Sequence, residues 1–492
     1  MNKPLTKLIP IAFALLAINT GAASQTLPGL RNLAQNADVS ALVVRLSDMQ
    51  TLAALNPRER LTPASTSKLF TAAKALRTFG PNHKFITRLT TQGRVTDTTV
   101  RGNLNLIGSG DPTLNTRDLQ HLAQRLRARG IQRVTGDLVI NAGHFGQIPC
   151  LTPDRCEAAD KSAHSYDAPL SAAGINFGTL HATVYPGPQR GDRTRVVLHP
   201  IGLAGYAIDN HSTTQKAGSH PHLRVWRTTD KDQTVLHLRG RLPTDGQPIE
   251  IHRSVANAER ETALALNRIM ADAGVRIDGV ARVTQQQSRA DDAVTLARVR
   301  SRTLQTQLNR MLAYSNNYLA DTLTLDIAAA QGQTPPLTLE QAAQSLERLG
   351  RNARQRVYGP EAGKSAPRLA SGSGLSVRNN MSARDLVALL TAMYRDSALF
   401  PAFYGSMPVP KFSPHDMLKQ SNLDFLTRIT AKTGTLTEPV SARALAGYFR
   451  TKNNGFVAYA VLINGTAQNP HPGFNNTVAV YESDLERLLA NH

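Results

Sequence analysis

Residues 84–287 constrain the fold of this chain more than any other stretch, because they replace a helical pattern with a long run of β-type sequence. Short strand-like segments such as 85–90, 102–107 and 133–140 alternate with Gly, Pro and Asp turns. Further strands are predicted at 194–198, 222–226, 234–238, 249–253 and 279–284, with helices at 117–129 and 258–273. The block is therefore expected to form one or more β-rich domains.

The segments on either side of this block have a different pattern. A strand is predicted at 41–46 before it, and helices at 303–330, 339–349 and 382–394 follow it. Strands at 427–437, 444–450 and 456–463 and a helix at 477–489 end the chain. At 492 residues, of which 41% are hydrophobic and 19% charged, the sequence describes a globular protein with room for two or three domains.

The segment 62–76 carries a candidate nucleophile. Pro63 is suited to open a helix, and the alanines and leucines that follow can propagate it, which places Ser65 in the first turn. Ser65 and Lys68 are three residues apart, so they share a helix face and the amine can reach the hydroxyl. The helix N-terminus adds partial positive charge at this point. The alternative is a helix cap with an exposed lysine.

Two later segments carry further candidate site residues, namely Ser315-Asn316-Asn317 and Lys432-Thr433-Gly434-Thr435. Alone, the first is typical of a turn between helices and the second of a strand end. On a strand, however, Thr433 and Thr435 point to one face, and hydroxyls near an ammonium suit a free carboxylate. Gly434 would let a substrate backbone lie close to that strand.

Taken together, Ser-x-x-Lys, Ser-x-Asn and Lys-Thr-Gly in this chain order resemble the penicillin-recognising serine enzymes, which include the DD-peptidases and the serine β-lactamases. Three more stretches, 108–114 (GSGDPTL), 168–172 (APLSA) and 371–376 (SGSGLS), are similar to the type-4 low-molecular-mass penicillin-binding proteins, the D-alanyl-D-alanine carboxypeptidase/endopeptidase family. The large insertion is similar too, so the resemblance covers nearly all of the mature chain. One position departs, because Ser371 stands where this family usually has aspartate, which removes a negative charge.

This resemblance implies an α/β (α+β) fold in which an antiparallel sheet is flanked by helices from both chain ends, as in the β-lactamases and DD-peptidases. Residues 25–83 and 288–492 would form this discontinuous catalytic domain, and 84–287 the β-rich insertion. The implied substrates are D-Ala-D-Ala stems and D-alanyl cross-links of peptidoglycan, with β-lactams trapping Ser65 as a stable acyl-enzyme. Neither a cofactor nor a metal is expected.

The resemblance also implies roles for individual residues. Ser65 would be the nucleophile, Lys68 the base and Ser315 the proton relay to the leaving amine. Asn317 would hydrogen-bond the acyl side of the substrate, and Lys432, Thr433, Gly434 and Thr435 would bind its other end. The backbone N–H groups of Ser65 and Thr435 would form the oxyanion hole. Lys68 must be neutral to act as the base, and burial and the charge of Lys432 would both lower its pKa.

Two other functions fit parts of the sequence. A serine β-lactamase needs fast hydrolysis of its acyl-enzyme, yet no motif carries an assignable deacylating glutamate, and the insertion is unexplained by that activity. A catalytically silent cell-wall-binding scaffold would be expected to lack a residue of one of the three motifs, and all three motifs are complete.

The N-terminus has the features of an export signal. Lys3 and Lys7 precede the apolar run 8–17, and the small residues 21–24 suit a signal peptidase. The run is short for a membrane span, so a signal cleaved near residue 24 and a periplasmic location are expected, with an uncleaved anchor as the alternative. In an exported protein, Cys150 and Cys156 are expected to form a disulfide. A metal site is the alternative, with His144 as an extra ligand.

The chain is strongly basic, with a formal net charge of +20. Removing residues 1–24 takes away two lysines and no acid, which leaves 20 − 2 = +18. Such an excess attracts polyanions. Because the basic residues are scattered and lack a nucleic-acid motif, cell-wall polymers or anionic membrane surfaces are the expected partners rather than nucleic acid. The alternative is a solvated basic surface with no dedicated partner.

Overall fold

A computed structural model describes residues 27–148, 150–152, 154–156, 164–199, 205–230, 233–287, 293–414, 418, 421–490 and 492. The helices of these ranges are α1 (Pro28–Leu33), α2 (Lys68–Phe79), α3 (Thr116–Ala128), α4 (Ala258–Asp272), α5 (Leu304–Ala313), α6 (Asn317–Ala330), α7 (Leu339–Tyr358), α8 (Ala383–Tyr394), α9 (Phe400–Ser406), α10 (Leu423–Arg428) and α11 (Phe474–Leu489).

The strands are β1 (Asp38–Arg45), β2 (Thr51–Leu55), β3 (Ile86–Thr91), β4 (Arg94–Thr96), β5 (Thr99–Arg101), β6 (Leu104–Ile107), β7 (Arg133–Val134), β8 (Leu138–Asn141), β9 (Thr179–Tyr185), β10 (Arg195–His199), β11 (Tyr206–Gln215), β12 (His222–Asp230), β13 (Gln233–Pro243), β14 (Ile249–Ser254), β15 (Arg276–Ile277), β16 (Ala281–Thr284), β17 (Val294–Arg300), β18 (Ile429–Leu436), β19 (Ala442–Arg450) and β20 (Phe456–Asn464).

The two ends of the chain meet in one antiparallel sheet of order β18-β19-β20-β1-β2. Strand β1 pairs with the C-terminal strand β20 over eight residues, from Asp38 opposite Asn464 to Arg45 opposite Val457. The residues of β1 are buried on both faces of the sheet, because helices cover both of its sides. The predicted antiparallel sheet flanked by helices is therefore confirmed.

Two hydrophobic layers hold the helices to this sheet. One layer packs α1 and α11 against the face that carries Val39, Ile429 and Tyr459. The other packs α2, α5, α6 and α8 against the opposite face, with Phe70, Leu323 and Leu386 fully buried. Since α2 and α6 lie in this second layer, the segments that carry Ser65 and Asn317 share one core.

The β-rich excursion leaves after α2 and returns just before α5. Its entry and exit are adjacent, since Leu304 N donates to His83 O at 2.8 Å and Ser301 N to Phe85 O at 2.9 Å. Within it, the five-stranded sheet β16-β8-β6-β3-β17 and the four-stranded sheet β15-β7-β5-β4 pack with α3 and α4. The three-stranded sheets β10-β9-β14 and β11-β13-β12 enclose a separate core.

Several elements differ from the sequence-based expectation. The predicted helix 303–330 is two helices, α5 and α6, broken at Ser315, whose φ of +52° is incompatible with a continuing helix. The predicted strand 133–140 is also two strands, with Gly136 between them. Strands β9, β11 and β17 lie outside the predicted strands. In β11 and β17, polar or charged residues on both faces weaken the apolar alternation that marks a strand, whereas β9 keeps that alternation at Leu180, Ala182 and Val184.

Across the part of the chain that the structure describes, no helix combines the length and apolar character needed to cross a bilayer. The predicted signal segment, 1–24, lies outside the described residues. Cys150 and Cys156 are joined by a disulfide. That bridge closes a loop that reaches the segment 371–376, where Asp154 Oδ1 accepts a hydrogen bond from Ser376 Oγ at 2.9 Å.

Candidate active site

Ser65 lies in a single 3₁₀ turn, Ala64–Ser67, that leads directly into α2. The α-helix itself begins at Lys68, so the expectation that Ser65 occupies its first turn is wrong by one turn. A 3₁₀ turn eclipses residues three apart, which brings the two side chains together as closely as the predicted helix would. Lys68 Nζ lies 2.8 Å from Ser65 Oγ.

The residue before the serine is held in an unusual conformation. Ala64 has a φ of +47° and is fully buried. A non-glycine residue in this region costs free energy, which the surrounding packing must offset, and such strain is concentrated at functional sites. Here it turns the chain sharply, so that Ser65 is partly exposed while Thr66, Ser67 and Lys68 are buried.

The Lys68 amine is enclosed by three oxygens. Besides Ser65 Oγ, it contacts Asn317 Oδ1 at 2.8 Å and the backbone oxygen of Ser373 at 2.6 Å. Burial lowers the pKa of Lys68 well below its usual value, and the nearby charge of Lys432 lowers it further, while Asp321 opposes the shift. The neutral amine has two N–H donors and one lone pair. Because the two carbonyl oxygens can only accept, the lone pair is left for the Ser65 hydroxyl proton.

Helix α6 supplies the middle of the site. Its N-cap, Asn316, accepts a hydrogen bond from Leu319 N, so the helix begins at Asn317 and directs that side chain at Lys68. One turn later, Asp321 Oδ1 accepts from Ser373 N at 2.8 Å. Burial raises the pKa of Asp321 to about 6.

A second buried lysine lies on β18. Lys432 is 1% exposed, and its Nζ donates to Ser315 Oγ at 2.9 Å and to Thr433 O at 2.7 Å. Burial lowers the pKa of Lys432 to about 7. Ser315, which is hydrogen-bonded to Lys432, and Asn317, which is hydrogen-bonded to Lys68, are two residues apart in one short segment. The three motifs therefore converge on one site.

Among the described strands, β18 is an edge strand of its sheet, and it packs beside the turn that carries Ser65. Ala431 N donates to Pro408 O, away from the neighbouring strand β19. Since backbone N–H groups alternate sides along an antiparallel strand, the N–H groups of Thr433 and Thr435 point to the same free edge. Neither threonine hydroxyl has a hydrogen-bond partner within the described ranges, which leaves both for a ligand.

Gly434 has a different structural role from the one its position suggested. A Cβ there would lie 2.7 Å from Pro63 O and 3.1 Å from Ala64 Cβ, so the space beside it is filled by this chain's own turn. The glycine lets β18 pack directly on the Ser65 turn. Gly374 does the same from the other side, because a Cβ at its φ of +77° would lie 1.9 Å from Ala64 O.

Comparison with known proteins settles the family. The model of the family "D-Ala-D-Ala carboxypeptidase 3 (S13)" matches residues 30–485. A D-alanyl-D-alanine carboxypeptidase from Actinomadura sp. (strain R39) is 30% identical over 430 residues, which are 83% of this chain and 74% of that protein. The chain belongs to the D-Ala-D-Ala carboxypeptidase S13 family. Its predicted resemblance to the type-4 penicillin-binding proteins is thereby confirmed.

Solved structures show the same fold as this S13 chain. Penicillin binding protein 4 from Haemophilus influenzae superposes with a TM-score of 0.73 at 22% identity, covering 96% of this chain and 99% of that one. It has also been solved in complex with a β-lactam. Bd3459, a predatory peptidoglycan endopeptidase from Bdellovibrio bacteriovorus, superposes with a TM-score of 0.50 at 16% identity, covering 92% and 93% of the two chains.

Sequence reasoning missed three residues that complete the S13 site. Asp321 lies four residues after Asn317, so helical spacing from the Ser-x-Asn motif could have identified it. Ser373 contributes its backbone carbonyl, which leaves no mark in the side-chain pattern. Asn379 donates to Ser67 Oγ and to Ser371 O, tying the 371–376 loop to the Ser65 turn, and only the tertiary structure reveals this contact.

Ser371 is part of that loop rather than a contact of either lysine. Its Oγ accepts from Gly374 N at 3.2 Å, and its N–H donates to Asn379 Oδ1 at 3.1 Å. The carboxylate of Asp321 acts on Lys68 and raises the pKa of that lysine. Asp321, on a different element, thus places a carboxylate near Lys68.

Proposed function

We propose that this chain is an exported serine-type DD-peptidase that cleaves the D-Ala-D-Ala ends of peptidoglycan stems and the D-alanyl cross-links between them. The observation that carries the proposal is the contact of 2.8 Å between Ser65 Oγ and the buried Lys68 amine, whose pKa burial lowers well below its usual value. Membership of the S13 family supports the substrate class. The named activities of Bd3459 and of the Actinomadura relative support endopeptidase and carboxypeptidase action respectively.

The proposed first half-reaction forms an acyl-enzyme. Ser65 Oγ attacks the carbonyl carbon of the penultimate D-alanine while its proton passes to Lys68 Nζ. The oxyanion that develops is bound by the N–H groups of Ser65 and Thr435, and donors of this kind are worth about 3–4 kcal/mol in the transition state. The carbon–nitrogen bond then breaks, and the proton held by Lys68 passes through the Ser315 hydroxyl to the leaving amine, which leaves Lys68 neutral again. Ser315 Oγ is held in place by the Lys432 amine.

In the second half-reaction a water molecule hydrolyses the ester. Lys68 Nζ accepts a proton from this water, the ester bond to Ser65 breaks, and Ser65 Oγ is protonated again. A β-lactam would acylate the same serine, as the complex of the Haemophilus influenzae protein with a β-lactam suggests. Lys432, Thr433 and Thr435 line the free edge of β18 and would hold the substrate carboxylate, with Asn317 facing the acyl side.

The function is tested by digesting purified muropeptides and measuring product masses. The wild-type protein should release terminal alanine from pentapeptide stems and convert cross-linked dimers to monomers. Ser65→Ala should lower both rates by about 10³-fold or more, because the nucleophile is removed. Ser345→Ala is the matched control, since Ser345 Oγ is buried without a hydrogen-bond partner among the described residues and lies on α7.

The outcomes separate the candidate activities. Loss of alanine release alone in Ser65→Ala, with dimers unchanged by the wild type, restricts the activity to carboxypeptidase. Rapid turnover of a labelled penicillin without a persistent adduct would instead favour a β-lactamase. Unchanged product masses with Ser65→Ala would contradict the mechanism altogether. The mass of the mature protein recovered from the periplasm tests cleavage near residue 24.

A further inference from the structure

The outward face of the sheet β11-β13-β12 carries a compact group of basic and aromatic side chains remote in sequence from the three motifs. Alternate residues of these strands, such as Val225, Leu236 and Leu238, are buried in the core between the two three-stranded sheets. The residues between them therefore face outward. We name this surface the arginine face, and its members are Arg224, Trp226, His237, Arg239 and Arg241.

The indole of Trp226 organises the arginine face. The guanidinium carbons of Arg224 and Arg239 lie 5.3 and 5.7 Å from the centre of the indole. The His237 ring stacks beside it at 5.1 Å, with 12° between the ring planes. Stacking on a rigid ring restrains the guanidinium groups, so less conformational freedom is lost when they bind an anion.

The arginine face carries more positive charge than its acids neutralise. Asp209 on β11 accepts hydrogen bonds from His237 Nδ1 at 2.8 Å and from Arg239 at 3.2 Å, and it also contacts His211 Nε2 at 2.8 Å. Asp209 is thus already paired with three basic side chains. Within the ranges that the structure describes, Arg224 and Arg241 pair with no carboxylate. Two guanidinium groups are therefore left for an anion from outside the chain.

A cleft of about 380 Å³ continues the arginine face at one end. Arg241 belongs to both, and it lies two residues from Arg239 on the same strand, roughly 7 Å along it. The cleft is also lined by Arg190, Lys216, Thr213 and Ser219, and its lining residues include no Asp or Glu. Three cations with neighbouring hydroxyls are the donor set that binds phosphate or carboxylate groups attached to a polyhydroxylated chain.

We propose that the arginine face and its cleft bind an anionic wall polysaccharide, that is, a glycan chain bearing phosphate or carboxylate groups. The choice of a glycan over other polyanions depends on the proposed function as a wall enzyme. It is also favoured over a lipid bilayer, because no large apolar side chain of the described strands β12 and β13 is exposed, and the exposed Ile208 of β11 is paired with Leu236, which faces the core. Binding here would hold the enzyme near its substrate and raise the effective substrate concentration.

The test uses the full mature chain in a Ser65→Ala background, so that the binding result is independent of whether the proposed reaction occurs. The triple variant Lys216→Gln/Arg224→Gln/Arg241→Gln removes three cations that have no carboxylate partner among the described residues. Its matched control is Arg117→Gln/Arg310→Gln/Arg351→Gln, which removes the same charge from exposed positions on α3, α5 and α7. The probes are polygalacturonate, phosphomannan, neutral dextran and vesicles of phosphatidylcholine with phosphatidylglycerol.

The Ser65→Ala protein without further substitutions should bind polygalacturonate or phosphomannan with an affinity that falls as salt is added. It should not bind dextran. The triple variant should raise the Kd by about tenfold, and the control by less than about twofold. Equal losses in the two variants, tighter binding to the vesicles than to either charged glycan, or no binding to any glycan would each overturn the proposal. When Ser65 is retained, the unsubstituted protein, the triple variant and the control variant should cleave a small soluble stem peptide at the same rate.

Discussion

At the scale of single residues, two buried lysines with different tasks define the site. In the proposed mechanism, Lys68 must be neutral to accept a proton, whereas Lys432 must be charged to hold a carboxylate. Burial lowers the pKa of both, that of Lys68 well below its usual value and that of Lys432 to about 7. The proposed reaction therefore needs a pH at which the first lysine is deprotonated and the second is not.

Replacing Lys432 with arginine should move the alkaline limit of activity. In the wild type, kcat/KM for a stem peptide is expected to fall as the pH rises through about 7, because Lys432 loses its charge. In Lys432→Arg the guanidinium stays charged, so this limb should shift to higher pH even if kcat is reduced. The measurement is a profile of kcat/KM against pH, with Lys84→Arg as an exposed control. An unmoved alkaline limb would exclude Lys432 as its source.

Replacing Asp321 with asparagine should move the acid limit. The Asp321 charge raises the pKa of Lys68, so its removal should lower that pKa and shift the acid limb of β-lactam acylation to lower pH by about 1 unit. Asparagine still has an oxygen to accept from Ser373 N, so the loop should keep its position. Asp326→Asn, another buried acid on α6, is the control and should leave the profile unchanged. A shift in both variants would point to a general effect on the helix.

At the scale of elements, three segments of the chain pack around the Ser65 turn. The edge strand β18, the N-terminus of α6 and the 371–376 loop meet there, and two glycines make the close approaches possible. No single element of the three holds the site by itself. The geometry around Ser65 is thus a property of how these elements pack.

The Gly374 contact can be tested against a glycine of similar conformation. Gly374→Ala should destabilise the protein by about 1 kcal/mol for its positive φ and by a further 1–3 kcal/mol for overpacking against Ala64 O. Gly332, at the end of α6, has a φ of +81° and open space around it, so Gly332→Ala should show only the first cost. Urea unfolding midpoints and penicillin acylation rates measure the difference. Equal effects of the two variants would mean that the close approach is unimportant.

At the scale of the whole molecule, the catalytic sheet depends on both chain ends being joined. Strand β1 lies between β20 and β2, and α1 is tied to α11 through Asp484, which accepts from Gly29 N and Leu30 N. The N-terminal strand thus forms part of the sheet on whose far edge β18 lies. The inserted sheets leave and return at adjacent points, so they interrupt the sequence without interrupting this core.

Removing that tie should lower stability without changing the site. Asp484→Ala leaves two N–H groups at the start of α1 without their partner and should cost about 1–3 kcal/mol. Asp484→Asn keeps one accepting oxygen and should cost less. The unfolding midpoint in urea and the penicillin acylation rate of the folded protein are the measurements. A loss of acylation in the folded Asp484→Ala protein would show that this tie reaches the active site.

The sequence alone determined the three motifs, the sheet strands of the C-terminal part and the β-rich character of the block that separates the first motif from the other two. These features are local, since spacing along one helix or strand decides them. Only the tertiary structure decided which oxygens surround Lys68, that Gly434 accommodates the chain's own turn, and that Asp321 acts on the pKa of Lys68. Those contacts join residues tens to hundreds of positions apart, and packing forces that act across such distances leave no periodic trace in the chain.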